Sequence, residues 1–306
     1  RTDRSRQAFG EALCSSCGTY SSREFKKKFL SLGQMDNSAQ KVLFVCSEMC
    51  PYLPESEIAT IGRYLPQGTQ EKHKEIRAFM PRYGCINERK NQLHEVIRLS
   101  GMNLIINDAD RPLIIKVASI AEARTQVYFI DNEDYFKRKQ LYSDENGQFF
   151  ADNDERAIFF ARGVLETVKK LRWAPDIIHC QGWISHLLPL YLKKAYKDDP
   201  IFSKSKVVLS LYDDIPGSTF AADFMQKTLF GGVTEKDVDL LKTPDGINLA
   251  KTAARFSDGV IFASENIPTS LVNYCRDRGL AVLKSKPKSI ADGSYIDEYN
   301  AFYDQL

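Results

Sequence analysis

Polar and aromatic side chains follow several short apolar runs, at the points where buried strands would end. Glu48 follows one such run, Gln181 a second and Tyr212 a third. In a doubly wound parallel sheet, ligands bind at the carboxyl ends of the strands. Carboxylates, amides and aromatic rings can hydrogen-bond or stack on a ligand there, so we predict a binding or catalytic site at this edge of the sheet.

The elements that position these side chains are apolar runs that alternate with amphipathic helical patterns. The clearest helix spans residues 155–171 and is preceded by candidate caps at Asp152, Asn153 and Asp154. This alternation predicts an α/β fold with a doubly wound, Rossmann-like, mainly parallel sheet. Residues 95–129 interrupt this alternation of strands and helices, which predicts antiparallel strands or an insertion there. The runs that predict strands are residues 42–45, 76–80, 103–106, 113–117, 126–130, 177–180, 207–211 and 259–263.

The composition narrows the classes of partner. Lys and Arg number 42 against 40 Asp and Glu, and the net charge of +2 gives no general attraction for nucleic acid or an anionic membrane. No run approaches the about 20 apolar residues that span a bilayer, and the first residues lack the apolar core of an export signal. We therefore expect a cytoplasmic protein.

Cysteine use argues against both a disulfide framework and a metal centre. The seven cysteines are an odd number and are scattered along the chain, which favours reduced thiols. Cys14 and Cys17 form a single C-x-x-C, and no second pair with suitable spacing completes the four ligands of a tetrahedral zinc site. We predict no metal and no cofactor.

The chain is expected to have three parts. Residues 1–34 are polar and rich in Ser, Lys and Arg, which predicts a flexible N-terminal extension, and Met35 is our hypothesis for the natural start. Residues 35–293 carry the alternating elements and form the predicted domain. Residues 294–306 are expected to be a C-terminal tail.

The opening strand and its turn resemble those of bacterial glycogen synthases and plant starch synthases. Residues 42–66 read VLFVCSEMCPYLPESEIATIGRYLP and align without a gap to the family's strand, Ser-Glu, Pro-aromatic, Lys-x-Gly-Gly turn and helix closing on Leu-Pro. Further segments similar to family motifs are Pro-Arg-Tyr-Gly at 81–84, Asp-Asn-x-Glu-Arg at 152–156 and Pro-Asp-x-x-His at 175–179. The resemblance implies the N-terminal, acceptor-side domain of a two-domain glucosyltransferase.

The first turn departs from the family at the positions that hold phosphate. In the family, two glycines let backbone amides approach the diphosphate of the sugar nucleotide at a helix N-terminus, and the lysine adds a positive charge. Here Pro54 stands at the lysine position, and Ser56 and Glu57 stand at the two glycines. Glu57 would set a carboxylate against a diphosphate, which is an unfavourable like-charge contact. We predict that the phosphate cradle is lost.

The other functional positions of the family are also replaced. Gln181 and Gly182 stand where the family has a second His and an Asp, and Tyr212 and Asp213 stand where it has a catalytic His-Asn pair. Asp292 replaces the Asn of a closing Leu-Asn-Gly segment. Tyrosine titrates at about 10 and so cannot shuttle protons as histidine does. We therefore predict that none of these positions is catalytic.

Two expectations follow for the rest of the resemblance. His179 matches a family histidine but falls within a predicted strand, where burial lowers a histidine pKa, so we predict a neutral core imidazole. The sequence ends shortly after Asp292, at the position of the family's interdomain linker. We expect the second domain, which in the family holds most nucleotide-sugar contacts, to be absent.

Three hypotheses for function remain open. The first is a non-catalytic relative in glycogen metabolism that binds an α-glucan or a protein through Tyr52, Gln181, Trp183 and Tyr212, because aromatic rings stack on sugars and amides bond hydroxyls. The alternative for these four side chains is that they merely fill a vacated cleft. The second hypothesis is an active ADP-glucose-dependent α-1,4-glucosyltransferase that requires a partner chain. The third is an oligomeric protein-interaction scaffold.

Overall fold

Residues 39–306 are described by the structure, a computed structural model, and form one compact unit of ten strands and nine α-helices. The extension predicted at residues 1–34, the proposed start at Met35 and the Cys14 and Cys17 pair lie outside the described residues. The strands are β1 (Lys41–Cys46), β2 (Glu75–Pro81), β3 (His94–Glu95), β4 (Met102–Ile106), β5 (Ala109–Ile120), β6 (Thr125–Asp131), β7 (Ile177–Gln181), β8 (Lys206–Leu211), β9 (Gly259–Phe262) and β10 (Ala281–Lys284).

All ten strands belong to a single mixed sheet. Its order is β10-β9-β8-β7-β1-β2-β6-β5-β3, and β4 pairs with β5. The seven strands from β10 to β6 are parallel neighbours, which confirms the predicted mainly parallel sheet. Strand β5 is antiparallel to β6, β3 and β4, so the predicted break at residues 95–129 is an antiparallel extension of the sheet.

Helices connect the parallel strands and cover the sheet. They are α1 (Glu57–Glu71), α2 (Glu133–Phe136), α3 (Asn153–Leu171), α4 (Leu188–Lys194), α5 (Phe224–Lys227), α6 (Gly246–Arg255), α7 (Thr269–Asp277), α8 (Pro287–Asp292) and α9 (Tyr295–Tyr303). None of the helices formed by residues 39–306 combines the length and the apolar composition that crossing a membrane requires.

The core lies on both faces of the central strands. Every residue from Val42 to Cys46 in β1 is fully buried, as are Ile178 and Cys180 in the neighbouring β7. Strands that are covered on both faces need apolar side chains at successive positions, which is why these segments read as continuous apolar runs. The sheet therefore forms a rigid base for the turns at its carboxyl edge.

Helix α1 lies close against the turn that follows β1. Gly62 allows this approach, because a Cβ on that residue would lie 2.5 Å from the Glu48 carbonyl oxygen. A side chain at position 62 would push the helix away from the turn. The close approach places the N-terminus of α1 at the carboxyl edge of the sheet.

The predicted C-terminal tail, residues 294–306, contains helix α9, which packs on the domain. Tyr299 and Tyr303 are buried, and the Tyr303 hydroxyl lies 2.7 Å from Nδ1 of His179 in β7. Asn300 Nδ2 donates to Thr69 Oγ1 in α1 at 3.0 Å. The tyrosines recur every four residues, so one face of the helix supplies them all to the core. Helix α9 therefore ties α1 to the sheet.

The start of α3 differs from the predicted capping by Asp152, Asn153 and Asp154. Asp152 makes no capping hydrogen bond, and its carboxylate instead accepts two bonds from Arg138, each at 2.6 Å. Asp154 and Arg156 are fully buried, and Asp154 accepts from Lys227 Nζ at 3.0 Å. Buried charges require partners, and the distant Lys227 supplies one that local spacing does not reveal.

Candidate functional site

The carboxyl ends of β1, β7, β8 and β9 lie at one edge of the sheet, because these strands are parallel neighbours. The turns after β1, β7 and β8, which the sequence analysis singled out, therefore meet at this edge. The loop after β9 joins them. The sequence prediction of a shared location for these turns is confirmed.

Ser56 holds the beginning of α1. Its Oγ accepts from Ala59 N at 3.0 Å and donates to Glu48 Oε2 at 3.0 Å. The amide of Ala59 is one of the free donors that a helix N-terminus offers to an anion, and the serine side chain already occupies it. Pro54, just before the helix, is exposed and brings no charge. The helix start is thus capped by its own side chain.

Carboxylates gather in front of this helix start. Glu57 is the first residue of α1, and burial together with the nearby Asp213 and Glu265 carboxylates raises its pKa. Asn266 Nδ2 donates to Asp213 Oδ2 at 3.4 Å. Negative charge thus concentrates at the helix N-terminus, where the family resemblance implies a diphosphate and a lysine.

A cavity of about 630 Å³ opens between α1 and the loops after β9 and β10. We call it the edge cavity. Its hydroxyl-bearing residues are Ser56, Thr60, Ser264 and Ser285. Its carboxylates and its amide belong to Glu55, Glu57, Glu265 and Asn266. Ala263 and Ile290 complete the lining, which contains neither lysine nor arginine.

The turn after β7 is built around Gly182. Its backbone angles, φ 85° and ψ 151°, fall in a region that essentially only glycine adopts. A Cβ at this position would overlap Ser47 Oγ and lie 3.2 Å from Asp214 Oδ2. The Asp214 carboxylate accepts from Trp183 N at 2.8 Å, so it lies beside the point where a side chain of residue 182 would begin.

Asp214 is a site residue that the sequence analysis missed. Burial, with Glu48 nearby, raises the pKa of its carboxyl group to about 6, although the Trp183 amide opposes the shift. Asp214 Oδ1 and Ser47 Oγ are both buried, and neither has a hydrogen-bond partner among residues 39–306. The sequence could have indicated this residue, because Asp214 directly follows the Tyr212 and Asp213 pair at the end of β8.

The four side chains predicted to bind a glucan or a partner are all buried. The exposed fractions are 7% for Tyr52, 0% for Gln181, 2% for Trp183 and 1% for Tyr212. A ligand would reach them only after the residues that cover them had moved. Their role in binding stays a prediction. Their burial agrees with the alternative hypothesis, in which these four side chains merely fill a vacated cleft.

Trp183 lies within a cluster of aromatic rings. Its ring centroid is 4.8 Å from that of Tyr142, 5.9 Å from Phe149 and 5.7 Å from Phe220. The hydroxyls of Tyr142 and Tyr83 are 2.8 Å apart and share a hydrogen bond. These rings come from separate segments of the chain and pack against one another.

Both histidines near the site are buried, and burial lowers the pKa of each to about 3. His179 Nδ1 lies 2.7 Å from the Tyr303 hydroxyl, and its Nε2 lies 2.7 Å from Ser210 Oγ. This confirms the predicted core imidazole. His186, one turn beyond β7, has no hydrogen-bond partner at either ring nitrogen within residues 39–306. Neither ring is available as a general base near neutral pH.

Asp292 and the metal-binding side chains can also be placed. Asp292 is the last residue of α8 and is exposed, and its carboxylate accepts from Ser294 N at 2.9 Å, which helps to lower its pKa. It is not among the residues lining the edge cavity. In the described part of the chain, no three His, Cys, Asp or Glu side chains come together in a way that could hold a metal ion.

Comparison with known proteins identifies the family to which this fold belongs. A sequence profile of the starch synthase catalytic domain matches residues 41–281. A glycogen synthase of Chlorobium limicola is 36% identical over 272 residues, which cover 87% of this chain and 55% of the relative. A glycogen synthase of Chlorobium luteolum is 36% identical over 225 residues, covering 73% of this chain and 45% of the relative.

A solved structure shares the fold. The catalytic domain of starch synthase IV from Arabidopsis thaliana, bound to ADP and acarbose, superposes with a TM-score of 0.60 at 17% identity. The match covers 73% of this chain and 45% of that one, and the chain spans about half the length of the curated relatives it matches. The profile match and the glycogen synthase relatives together show that this chain belongs to the starch synthase catalytic domain family.

Proposed function

We propose that this domain is a glycogen synthase-like, acceptor-side domain that binds an α-glucan at the edge cavity and does not by itself transfer glucose. The observation that carries the proposal is the group of carboxylates formed by Glu57, Asp213 and Glu265 at the N-terminus of α1. Family members place a cation and glycines there to hold a diphosphate. Carboxylates repel a diphosphate but accept hydrogen bonds from hydroxyl groups.

The lining of the edge cavity suits a neutral sugar chain. Its carboxylates accept hydrogen bonds, its Ser and Thr hydroxyls both donate and accept, and the amide of Asn266 does both as well. A glucan presents hydroxyls of the same two kinds around each ring. A volume of about 630 Å³ lies within the range of small-ligand sites.

The absence of transfer is proposed from the residues at the edge. Burial raises the pKa of Tyr212 well above its ordinary value, so its hydroxyl keeps its proton at any physiological pH. Gln181 is buried and has no ionisable group. Gly182 offers no side chain, and both nearby histidines are neutral. Tyr212, Gln181, Gly182 and the two histidines therefore supply no group that exchanges a proton with a reacting sugar near neutral pH.

A calorimetric titration tests this function. We expect maltoheptaose to bind to the chain and ADP-glucose to give no measurable heat at the same concentrations. Replacing Asn266 by alanine and Thr60 by valine removes two hydrogen-bonding groups and should weaken maltoheptaose binding about tenfold. The matched control, Asn273→Ala with Thr269→Val in α7, lies outside the edge cavity and should bind as the unmodified chain does.

The other hypotheses predict different results in the same titration. Binding of ADP-glucose would overturn our account of the edge and favour an active glucosyltransferase. If neither ligand bound, glucan binding would be wrong and a protein-interaction scaffold would become the better interpretation. Equal binding by the cavity variant and by its control would show that the glucan binds elsewhere on the chain.

Restoring the family residues of the first turn should restore affinity for the sugar nucleotide. The triple variant Pro54→Lys, Ser56→Gly, Glu57→Gly returns the cation and frees the amide of Ala59. We expect ADP-glucose affinity to rise at least about tenfold, because the variant removes the Glu57 carboxylate, which repels the diphosphate, and adds a lysine, which attracts it. Glu71→Gly, at the opposite end of α1, is the control and should bring no gain. A triple variant that still fails to bind would contradict our assignment of the cradle.

A further inference from the structure

A second cavity lies at the opposite edge of the sheet from the candidate site. A helix that connects two parallel strands runs back from the carboxyl edge to the amino edge, so α4, α6 and α7 all end at the amino edge. A cavity of about 920 Å³ opens there, between the ends of these helices and residues 231–239. We call it the basic cavity. Among the described residues, it has no lining residue in common with the edge cavity.

Cations outnumber carboxylates in the lining of the basic cavity. Its carboxylates belong to Asp198, Asp237 and Asp239. Its cations belong to Lys193, Lys194, Lys197, Lys236, Arg255 and Arg278. The edge cavity has the opposite character, since residues 39–306 place carboxylates but neither lysine nor arginine in its lining. The small net charge of the whole chain therefore conceals a local excess of positive charge at the amino edge.

Three of these cations are already paired with carboxylates of the domain. Lys194 Nζ lies 2.7 Å from Asp237 Oδ1, and Arg255 Nη1 lies 2.6 Å from Asp239 Oδ1. Lys193 is paired in the same way with a carboxylate outside the lining. Two of the three lining carboxylates are therefore neutralised by cations of the domain itself.

The other three cations of the lining are Lys197, Lys236 and Arg278. All three are exposed, and none of them forms an ion pair within residues 39–306. They come from three separate segments, which follow α4, α5 and α7. Of the lining carboxylates that the described residues supply, only Asp198 remains to oppose them. The basic cavity therefore attracts anionic groups.

The spread of these three cations favours a chain with several anionic groups over one small anion. Drawing three exposed cations onto a single small group would work against their mutual repulsion and would cost side-chain entropy. Separate carboxylates along a chain can instead pair with each cation where it lies. The volume of about 920 Å³ is near the upper end of small-ligand sites, which reach about 1,000 Å³, and leaves room for several side chains.

The lining also offers open backbone and apolar surface. Gly231 and Gly232 are exposed and have φ values of 57° and 94°. Because they carry no side chain, the backbone of a partner can approach this segment closely. Ala195 and Phe256 add apolar surface beside it. A peptide has groups for both, since its backbone forms hydrogen bonds and the stems of its acidic side chains are apolar.

We propose that the basic cavity is a docking site for an acidic peptide, a segment of a partner protein rich in Glu and Asp. Its carboxylates pair with Lys197, Lys236 and Arg278, and its backbone lies along Gly231 and Gly232. The carboxylates of the edge cavity repel the same segment, so the partner binds at the amino edge and leaves the edge cavity open. The docking site does not depend on glucan binding at the edge cavity.

Fluorescence anisotropy of a labelled hexaglutamate peptide tests the docking site. We expect the peptide to bind the unmodified chain at low salt, and binding should weaken when NaCl is raised from about 50 mM to about 300 mM, because salt screens exposed charges. The variant Lys197→Glu, Lys236→Glu, Arg278→Glu reverses the three cations without an ion pair. Its dissociation constant for the peptide should be at least about tenfold higher.

The matched control is the variant Lys90→Glu, Lys139→Glu, Arg98→Glu. It changes the net charge by the same amount at exposed positions that line neither the basic cavity nor the edge cavity. We expect it to bind hexaglutamate as the unmodified chain does. All six positions are exposed, so both variants should unfold in urea within about 0.5 kcal/mol of the unmodified chain.

Hydrogen exchange locates the bound peptide, and we expect hexaglutamate to protect backbone amides in residues 231–239. Failure of the peptide to bind the unmodified chain at low salt would overturn the docking site. Equal weakening in both triple variants would also overturn it, because net charge alone would then govern binding. Protection confined to other segments would place the peptide elsewhere. Displacement of the peptide by an equal concentration of inorganic phosphate would overturn the acidic peptide in favour of a small anion.

Discussion

Replacing Gly182 by alanine is expected to lower the free energy of unfolding by about 3 kcal/mol or more. The backbone at φ 85° and ψ 151° strains any residue with a Cβ. The added atom would also overlap Ser47 Oγ and press on the Asp214 carboxylate, which holds the Trp183 amide. Urea unfolding at constant temperature measures the change, provided that the slope of the transition stays the same.

Gly217→Ala is the matched control for this prediction. No atom of the described residues lies within 4 Å of a Cβ added at Gly217, so we expect a change within about 0.5 kcal/mol. Removing the overlapping side chain in a Ser47→Gly, Gly182→Ala double variant should recover part of the lost stability, because the two changes share one contact. Equal stability of the Gly182 and Gly217 variants would contradict the assigned role of the turn.

The same geometry explains why the family aspartate cannot simply be restored at position 182. Asp214 Oδ2 would lie 3.2 Å from a Cβ there, so a carboxylate introduced at 182 would begin beside one that is already buried. Two carboxylates in one small space repel each other, and one of them must take up a proton. Ser47 and Asp214 therefore leave no room for a side chain at position 182.

The positions of the central strands could be predicted from the sequence because their burial is local and complete. Residues 177–180 and 207–211 fall within β7 and β8 to one residue at each end. Strand β10 was not predicted. It is a short strand at the end of the sheet, and three of its four residues are exposed. Helix α9 was missed because its Tyr303 and Asn300 side chains bond to His179 and Thr69, which are distant in sequence.

The candidate site could be predicted only in part, because some of its features are local in the sequence and others depend on contacts between distant residues. The loss of positive charge at Pro54 and the gain of negative charge at Glu57 can be seen in the sequence itself. The approach of Glu265 to Glu57 depends on which strand ends are neighbours at the edge of the sheet. The burial of Trp183 depends on rings from separate loops, so a sequence comparison with the family motif could not show that it is covered.

Lowering the pH from 7 towards 4 is expected to destabilise the domain through its two buried histidines. The pKa of His179 and of His186 is about 3 in the folded chain and about 6.5 in an unfolded chain. Below pH 6.5 the unfolded chain binds protons that the folded chain does not, so each histidine removes about 1.4 kcal/mol of stability per pH unit. Asp214 opposes this, because its pKa is raised to about 6 and its contribution grows as the pH falls from 6 towards 4.

The variants His186→Leu and His179→Leu separate titration from hydrogen bonding. Urea unfolding between pH 7.5 and 4.5 should show, for each variant, stability that falls with pH less steeply by about 1.4 kcal/mol per pH unit below pH 6.5. At pH 7.5, His179→Leu should also cost about 2 kcal/mol, since it strands the Tyr303 and Ser210 hydroxyls, whereas His186 has no hydrogen-bond partner in the described part of the chain. His94→Gln, at an exposed histidine, is the control and should keep the original slope. An unchanged slope in both leucine variants would show that these imidazoles do not stay neutral in the folded chain.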